Sequence, residues 1–298
     1  MTQTQTLPTS ASANQVALLA IVAGSIAIGG SPIFVRLSEV GPLATALWRV
    51  VLALIPLTIF SLLNRGKRSD VPPRTLGDCL LLALPGVFLA IDLAAWHIAV
   101  KITSVANATL LSNVAPVFVT IFGWLLFGFA ITRTFVAGLF MAAIGIVVLK
   151  GGPAALEGGD LHGDAIAVLA AIFYAGYILA INRLRTRYDT LRIMQWGSAS
   201  AACCLLPVTL YFEPALLPST VPGWATVFGL AFVCHAGGQA LITYALAFLP
   251  AAFSSLTLLL QPVVAAVLAW GLLGESLGVM QAIGGLIILA GILIARRG

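Results

Sequence analysis

The sequence predicts an all-α membrane protein: ten transmembrane helices forming two inverted five-helix repeats, with the N- and C-termini cytoplasmic. Three observations lead there. The chain of 298 residues is 60% hydrophobic and only 8% charged, with a mean hydropathy of +1.08, whereas a soluble domain carries about a quarter charged residues. Apolar runs of about 20 residues, the length that crosses a hydrocarbon core, recur from end to end. The two halves also repeat each other in register.

The spans fall at 15–37, 42–63, 76–100, 103–127, 133–150, 164–184, 193–212, 222–248, 251–272 and 277–296. They divide the chain into a polar cytoplasmic tail (1–14), a first repeat (15–150), an outer linker (151–163) and an inverted second repeat (164–298). The tail has no Lys or Arg, so it lacks the basic start of a secretory signal. Near the outer end of span 1, Ser31 and Pro32 follow Gly29-Gly30. This is either a flexible, unwound segment or ordinary helix breaking at a boundary.

Span 2 carries Arg49, seven residues from its outer end, and span 3 carries Asp92, eight residues from its own. At 1.5 Å per residue the two lie about 10 and 12 Å deep on consecutive helices. The expected arrangement is an ion pair, since unpaired charge in hydrocarbon costs several kcal/mol. Such a pair either fixes packing or re-forms during a working cycle. Trp96 shares the Asp92 face one turn further out, placed to stack on a ligand or to join the interfacial aromatic belt. His97 points about 140° away, toward Lys101, and is expected at headgroup level.

Span 4 lines up Thr109, Asn113, Pro116 and Thr120, and span 9 lines up Ser254, Thr257 and Gln261 ahead of Pro262. Each proline frees a backbone carbonyl, which suits a gate or bend at matching places, or shapes packing alone. Span 6 offers Tyr174 and Tyr177 as aromatic walls or packing groups. Span 8 carries His235, Gln239 and Thr243 at i, i+4 and i+8, a polar stripe facing a cavity or bonding to neighbouring helices. Gly138/Gly145 and Gly284/Gly291 in spans 5 and 10 suit close helix contact. Cys79, Cys203, Cys204 and Cys234 form no CxxC and read as small buried hydrophobes. No metal site or cofactor is expected.

The repeat is explicit. SNVAPVFVTIFGWLLFGFAITRTFVAGLFMAAIGIVVLK (112–150) matches LLLQPVVAAVLAWGLLGESLGVMQAIGGLIILAGILIAR (258–296) at an offset of 146, pairing Pro116 with Pro262, Trp124 with Trp270 and Gly128 with Gly274. Spans 1 and 6 match at 147, pairing Gly29 with Gly176 and Arg36-Leu37 with Arg183-Leu184. Five spans is an odd number, so the second copy enters the membrane inverted, an architecture of carriers with a midplane site between the repeats. Charge agrees with this topology. Inner loops and the tail hold Arg65, Lys67, Arg68, Arg74, Arg133, Arg183, Arg185, Arg187, Arg192, Arg296 and Arg297, against Arg36, Lys101 and Lys150 at outer ends, so positive-inside bias places both termini inside. The net charge of +5 is thus a topology signal; no soluble basic face exists for nucleic acid.

These repeats, the opening GGSPIFVRL and the Trp48-Arg49 pair resemble the drug/metabolite transporter superfamily, EamA-type exporters, over nearly the whole chain. The nearest branch by resemblance is the bacterial aromatic amino acid exporters. The resemblance implies a carrier with a central cavity in the inner (plasma) membrane that exports small metabolites such as amino acids, or another metabolite or drug. One departure is Phe129, where the family commonly has an acid after Leu-Leu-x-Gly; Glu275 keeps it in the second half. The lone deep acid, Asp92, allows proton coupling, and facilitated flux is equally allowed. Its counterpart at offset 146 is Gly238. A monomer and a homodimer are both open. No phosphate-binding loop appears, and Arg49 alone is thin provision for an anionic substrate. An intramembrane protease would lack either a second buried Asp or any supporting spacing between Ser31 or Ser112 and His235. A receptor or scaffold would carry a sizeable loop or tail.

Overall fold

The computed structural model describes residues 11–63, 72–103, 105–152, 160–274 and 278–297. Most of the tail, the linker segment 153–159 and Glu275 lie outside the described residues, as do the side chains of Lys101 and Thr109. Everything described is helix, turn or coil, with no strand among the described residues.

Span 1 is α1 (Ala11–Gly29) and α2 (Ser31–Leu37), divided at Gly30 just before Pro32. Spans 2 and 3 are α3 (Pro42–Leu63) and α4 (Leu76–Ile102). Helix α4 runs two residues past the expected boundary and is closed at Thr103, whose N–H reaches the Ala99 carbonyl. Span 4 is α5 (Val105–Ser112) and α6 (Ala115–Phe127); span 5 is α7 (Arg133–Leu149). Spans 6 and 7 are α8 (Leu161–Leu184) and α9 (Thr190–Phe212). Each starts three residues earlier than the apolar runs suggest. Asp160 and Asp189 cap them from a polar first turn that hydropathy does not see.

Span 8 departs from the expectation of one α-helix. It is α10 (Val221–Gly229), then a π-helix (Leu230–Gln239), then α11 (Ala240–Ala245). Span 9 is α12 (Ala251–Thr257) and α13 (Leu260–Leu273), and span 10 is α14 (Val279–Ala295). Eight spans are helical and apolar over 18 residues or more, while α7 and α14 are shorter. Their 17 residues each still extend about 25 Å, close to a hydrocarbon core.

The breaks in spans 4 and 9 are equivalent. The amide of Asn113 reaches the Leu110 carbonyl at 3.2 Å and that of Leu259 reaches Leu256 at 3.1 Å. These are the same i to i−3 bonds at an offset of 146. Pro116 and Pro262 follow three residues on, within the first turn of each restarted helix, where a missing N–H removes no bond of that helix. Both restarted helices also end alike, at Gly128 (φ 66°) and Gly274 (φ 68°) in the left-handed conformation that glycine adopts without cost.

The principal packed pairs map onto themselves when the halves are exchanged. Helix α4 packs on α8 and α9, while span 8 packs on α1 and α3; α3 packs on α9, α6 on α12, and α7 on α14. In the α7–α14 seam a Cβ on Gly138 would lie 2.5 Å from the Gly291 carbonyl oxygen and 2.6 Å from the Ala295 nitrogen. The helices there meet backbone to backbone. The largest core, around Ile21, Val50, Leu89, Val119, Ile178 and Leu246, joins both halves.

A candidate substrate cavity between the halves

Five helices bring the polar residues of the interior together. Arg49 projects from α3, Asp92 from α4, Tyr174 and Tyr177 from α8, Gln239 and His235 from the π-helix, and Gln261 from α13. The Arg49 charge reaches Asp92, both tyrosines, Cys234 and His235, and the Asp92 charge reaches both tyrosines. The Tyr174 and Tyr177 rings stack with centroids 5.8 Å apart. Tyr174 faces Gln261 and Tyr177 faces Gln239. Arg49, Asp92, Tyr174 and Gln261 are each half-buried and keep some accessible surface.

Arg49 and Asp92 do not form the expected ion pair. Arg49 donates instead to the Ser31 hydroxyl at 3.3 Å, and Asp92 takes no hydrogen bond from any described residue. Depth explains part of this. Asp92 lies ten residues before the end of α4 at Ile102, about 15 Å, whereas Arg49 is seven residues into α3, about 10 Å. Ser31, beside the break at Gly30, is buried and holds the guanidinium.

Of the span 8 stripe, His235 and Gln239 are buried, but the wider i to i+5 turn means that residues four apart do not stack as in an α-helix. His235 Nε2 is 2.9 Å from the Ser198 hydroxyl of α9, and its Nδ1 has no partner among the described residues. A small internal cavity of about 10 Å³ adjoins it, lined also by Tyr177, Met194 and Ser198. That is enough room for about one water. Thr243 turns to the Met194 sulfur at 3.4 Å. The hydroxyls of Thr120 and Thr257 bond back to Pro116 and Phe253 in their own helices. Ser254 is fully buried without a partner among the described residues. Asn113 forms the span 4 break, and the Thr109 side chain is outside the described residues.

Trp96 is half-buried and meets the His97 ring edge-on at 4.8 Å. His97 is buried, and its Nδ1 is 2.5 Å from the Leu93 carbonyl. Only Cys234 among the cysteines is buried; Cys203 is exposed on the outside of α9, where an apolar thiol suits lipid.

Sequence reasoning missed the stitches at the bundle ends. Glu213, after α9, accepts from the Leu43 and Ala44 amides at the start of α3, at 2.6 and 2.9 Å. Glu39, between α2 and α3, accepts from the Ser219 and Thr220 amides and hydroxyls that precede α10. The Thr220 hydroxyl above all holds the Glu39 carboxyl below the usual glutamate range. Trp48 Nε1 donates to the Leu216 carbonyl at 2.6 Å and its ring packs edge-on to Trp224. At the other end Arg187 pairs with Asp78 at 2.7 Å, and Asn182 donates to the Leu246 carbonyl. The readable signal is an acid at a span edge in each half, Glu39 before span 2 and Glu213 after span 7, with Ser219-Thr220 ahead of span 8.

Comparison with known proteins agrees with this architecture. The profile of the EamA-like transporter family matches residues 15–150 and again 161–297. An uncharacterized transporter of Archaeoglobus fulgidus is 28% identical over 93% of this chain and 95% of its own. A probable terminal-alkyne amino-acid exporter of Streptantibioticus cattleyicolor is 32% identical over 64% of each chain. The pseudopaline exporter CntI of Pseudomonas aeruginosa is 26% identical over 53% of this chain and 54% of its own. A solved crystal structure superposes with a TM-score of 0.76 at 21% identity, covering 97% of this chain and 99% of that one, which establishes a shared fold. The chain is a multi-pass membrane protein and belongs to the EamA-like transporter family.

Proposed function

We propose that this transporter exports small metabolites, with amino acids bearing aromatic or other apolar side chains as its substrates, by alternating access through the central cavity. The two halves, 15–150 and 164–298, act as inverted repeats with both termini in the cytoplasm of a cell whose inner membrane holds the protein. Glu39 and Glu213 then close the outer end and Arg187–Asp78 the inner end. The breaks before Pro116 and Pro262 serve as bending points, since neither helix is continuous through its centre. The observation that carries the reading is the convergence of Arg49, Asp92 and the stacked tyrosines inside the bundle, where polar groups are costly unless they serve a path. The exporters among its relatives, one for an amino acid, support the direction and substrate class. A catalytic role has no support in the family.

The test is counterflow in proteoliposomes loaded with unlabelled amino acids, with and without a pH gradient. Uptake of labelled phenylalanine or leucine above empty liposomes is expected. Absence of flux for every amino acid offered would refute the substrate class. A dependence on the pH gradient would assign proton coupling.

A further inference from the structure

Resting on that reading, we infer that Arg49 and Asp92 are the two poles of a site for a zwitterion: Arg49 receives a carboxylate and Asp92 an ammonium. The starting point is that two opposite charges, both half-buried, lie near each other among the helices without touching. A guanidinium offers five N–H donors in a planar fork matched to carboxylates. Among the described residues Arg49 uses one of them, on Ser31 at 3.3 Å, and its buried Nε has no partner. Asp92 retains accessible surface and accepts from no described residue, so its carboxylate is open to an incoming donor. Gln239 and Gln261 set their side-chain amides against the Tyr177 and Tyr174 hydroxyls, beside the two charges.

The charge count then selects the ligand. A simple anion would satisfy Arg49 and leave Asp92 uncompensated in a low-dielectric interior; a simple cation would do the reverse. A truncated partner in a buried charged contact is costly in either case. A molecule with both charges a few atoms apart satisfies both poles, and the site with its ligand remains neutral. Tyr174 lies within reach of both charges and, with Tyr177, gives the apolar part of the ligand an aromatic wall. Ser31 is a positioning residue, holding the guanidinium away from Asp92 so that the poles stay apart.

The experiment uses matched sets: phenylalanine, 2-phenylethylamine and 3-phenylpropanoate, and leucine with its amine and its deaminated acid. Each competes in counterflow against a labelled amino acid, and each is titrated against the purified protein by intrinsic tryptophan fluorescence. Each zwitterion should compete about tenfold better or more than either one-charge analogue, as expected for a lost charge-assisted contact. Arg49→Gln should abolish preference for the compound that keeps the carboxylate, and Asp92→Asn preference for the one that keeps the ammonium. The wild-type comparison stands even if a variant does not fold. If amino acids are carried but all three members of a set compete equally, the two-pole site is wrong and the export reading survives. If no member of either set binds or is carried, both fall together.

Discussion

Replacing Glu213 with alanine should destabilise the fold more than any other single change at the bundle ends. The carboxylate is 7% exposed and receives two backbone N–H groups, from Leu43 at 2.6 Å and Ala44 at 2.9 Å. Those amides belong to the open first turn of α3, which no side chain of its own segment caps, and they form the positive end of the helix dipole. A hydrogen bond to a charged acceptor contributes about 1.5–3 kcal/mol. Losing both, with partial relief from water, costs about 3 kcal/mol. Glu213→Gln keeps the shape and one carbonyl acceptor and should lose about half as much. Thermal unfolding in detergent, followed by far-UV circular dichroism, should place alanine lowest, glutamine between, and wild type highest. The alanine shift should be about 6 °C or more. If Glu213→Ala melts together with the wild type, or Glu213→Gln falls as far as Ala, the carboxylate cap is not what holds this end closed.

Three further outcomes follow from the geometry. Because hydrogen bonding lowers the Glu39 pKa, its contact adds stability above the ordinary glutamate pKa and loses it as pH falls through the lowered value. Hydrogen exchange at Ser219 and Thr220, corrected for intrinsic rates, should therefore stay protected at neutral pH and open in acid, and Glu39→Gln should remove that transition. Ser198→Ala should cost about 1–3 kcal/mol, read by thermal unfolding, because it leaves buried His235 with neither ring nitrogen partnered among the described residues. Gly138→Ala should cost about 1–3 kcal/mol by forcing α7 from α14, whereas Gly271→Ala, with open space around its Cβ, should be neutral in the same assay.

How much of this was legible in the sequence depends on how local the cause is. The spans, the paired breaks before Pro116 and Pro262, and the matched Gly128 and Gly274 ends are set by residues within one turn, and they were readable. The close α7–α14 seam was readable from paired glycines. The π-helix was not, because hydropathy and spacing presume one turn geometry, and Gly237-Gly238 within it gives only a weak hint. The distance between Arg49 and Asp92 was missed because it depends on where two helices end relative to each other and on Ser31 claiming the guanidinium. The burial of His97 against its own Leu93 carbonyl was not legible either, because a helical wheel gives its direction and not its packing. Thr120, Thr243 and Thr257 looked like cavity groups on a helical wheel, yet each hydroxyl is occupied elsewhere. A wheel gives direction and no knowledge of partners.

The cap on α3 also sets an order of events during synthesis. Glu213 lies 170 residues after Leu43, so at about 5–20 residues per second the second span waits roughly ten to thirty seconds for its terminating carboxylate. Throughout that interval the leading turn of α3 lacks this acceptor, and Glu39 likewise waits for the Ser219 and Thr220 amides. A chain stopped after the first five spans would carry an open end that invites quality-control proteases, and co-expressing the two halves as separate polypeptides should rescue the first from degradation. Duplication made the halves alike, and these reciprocal caps make each one the chaperone of the other.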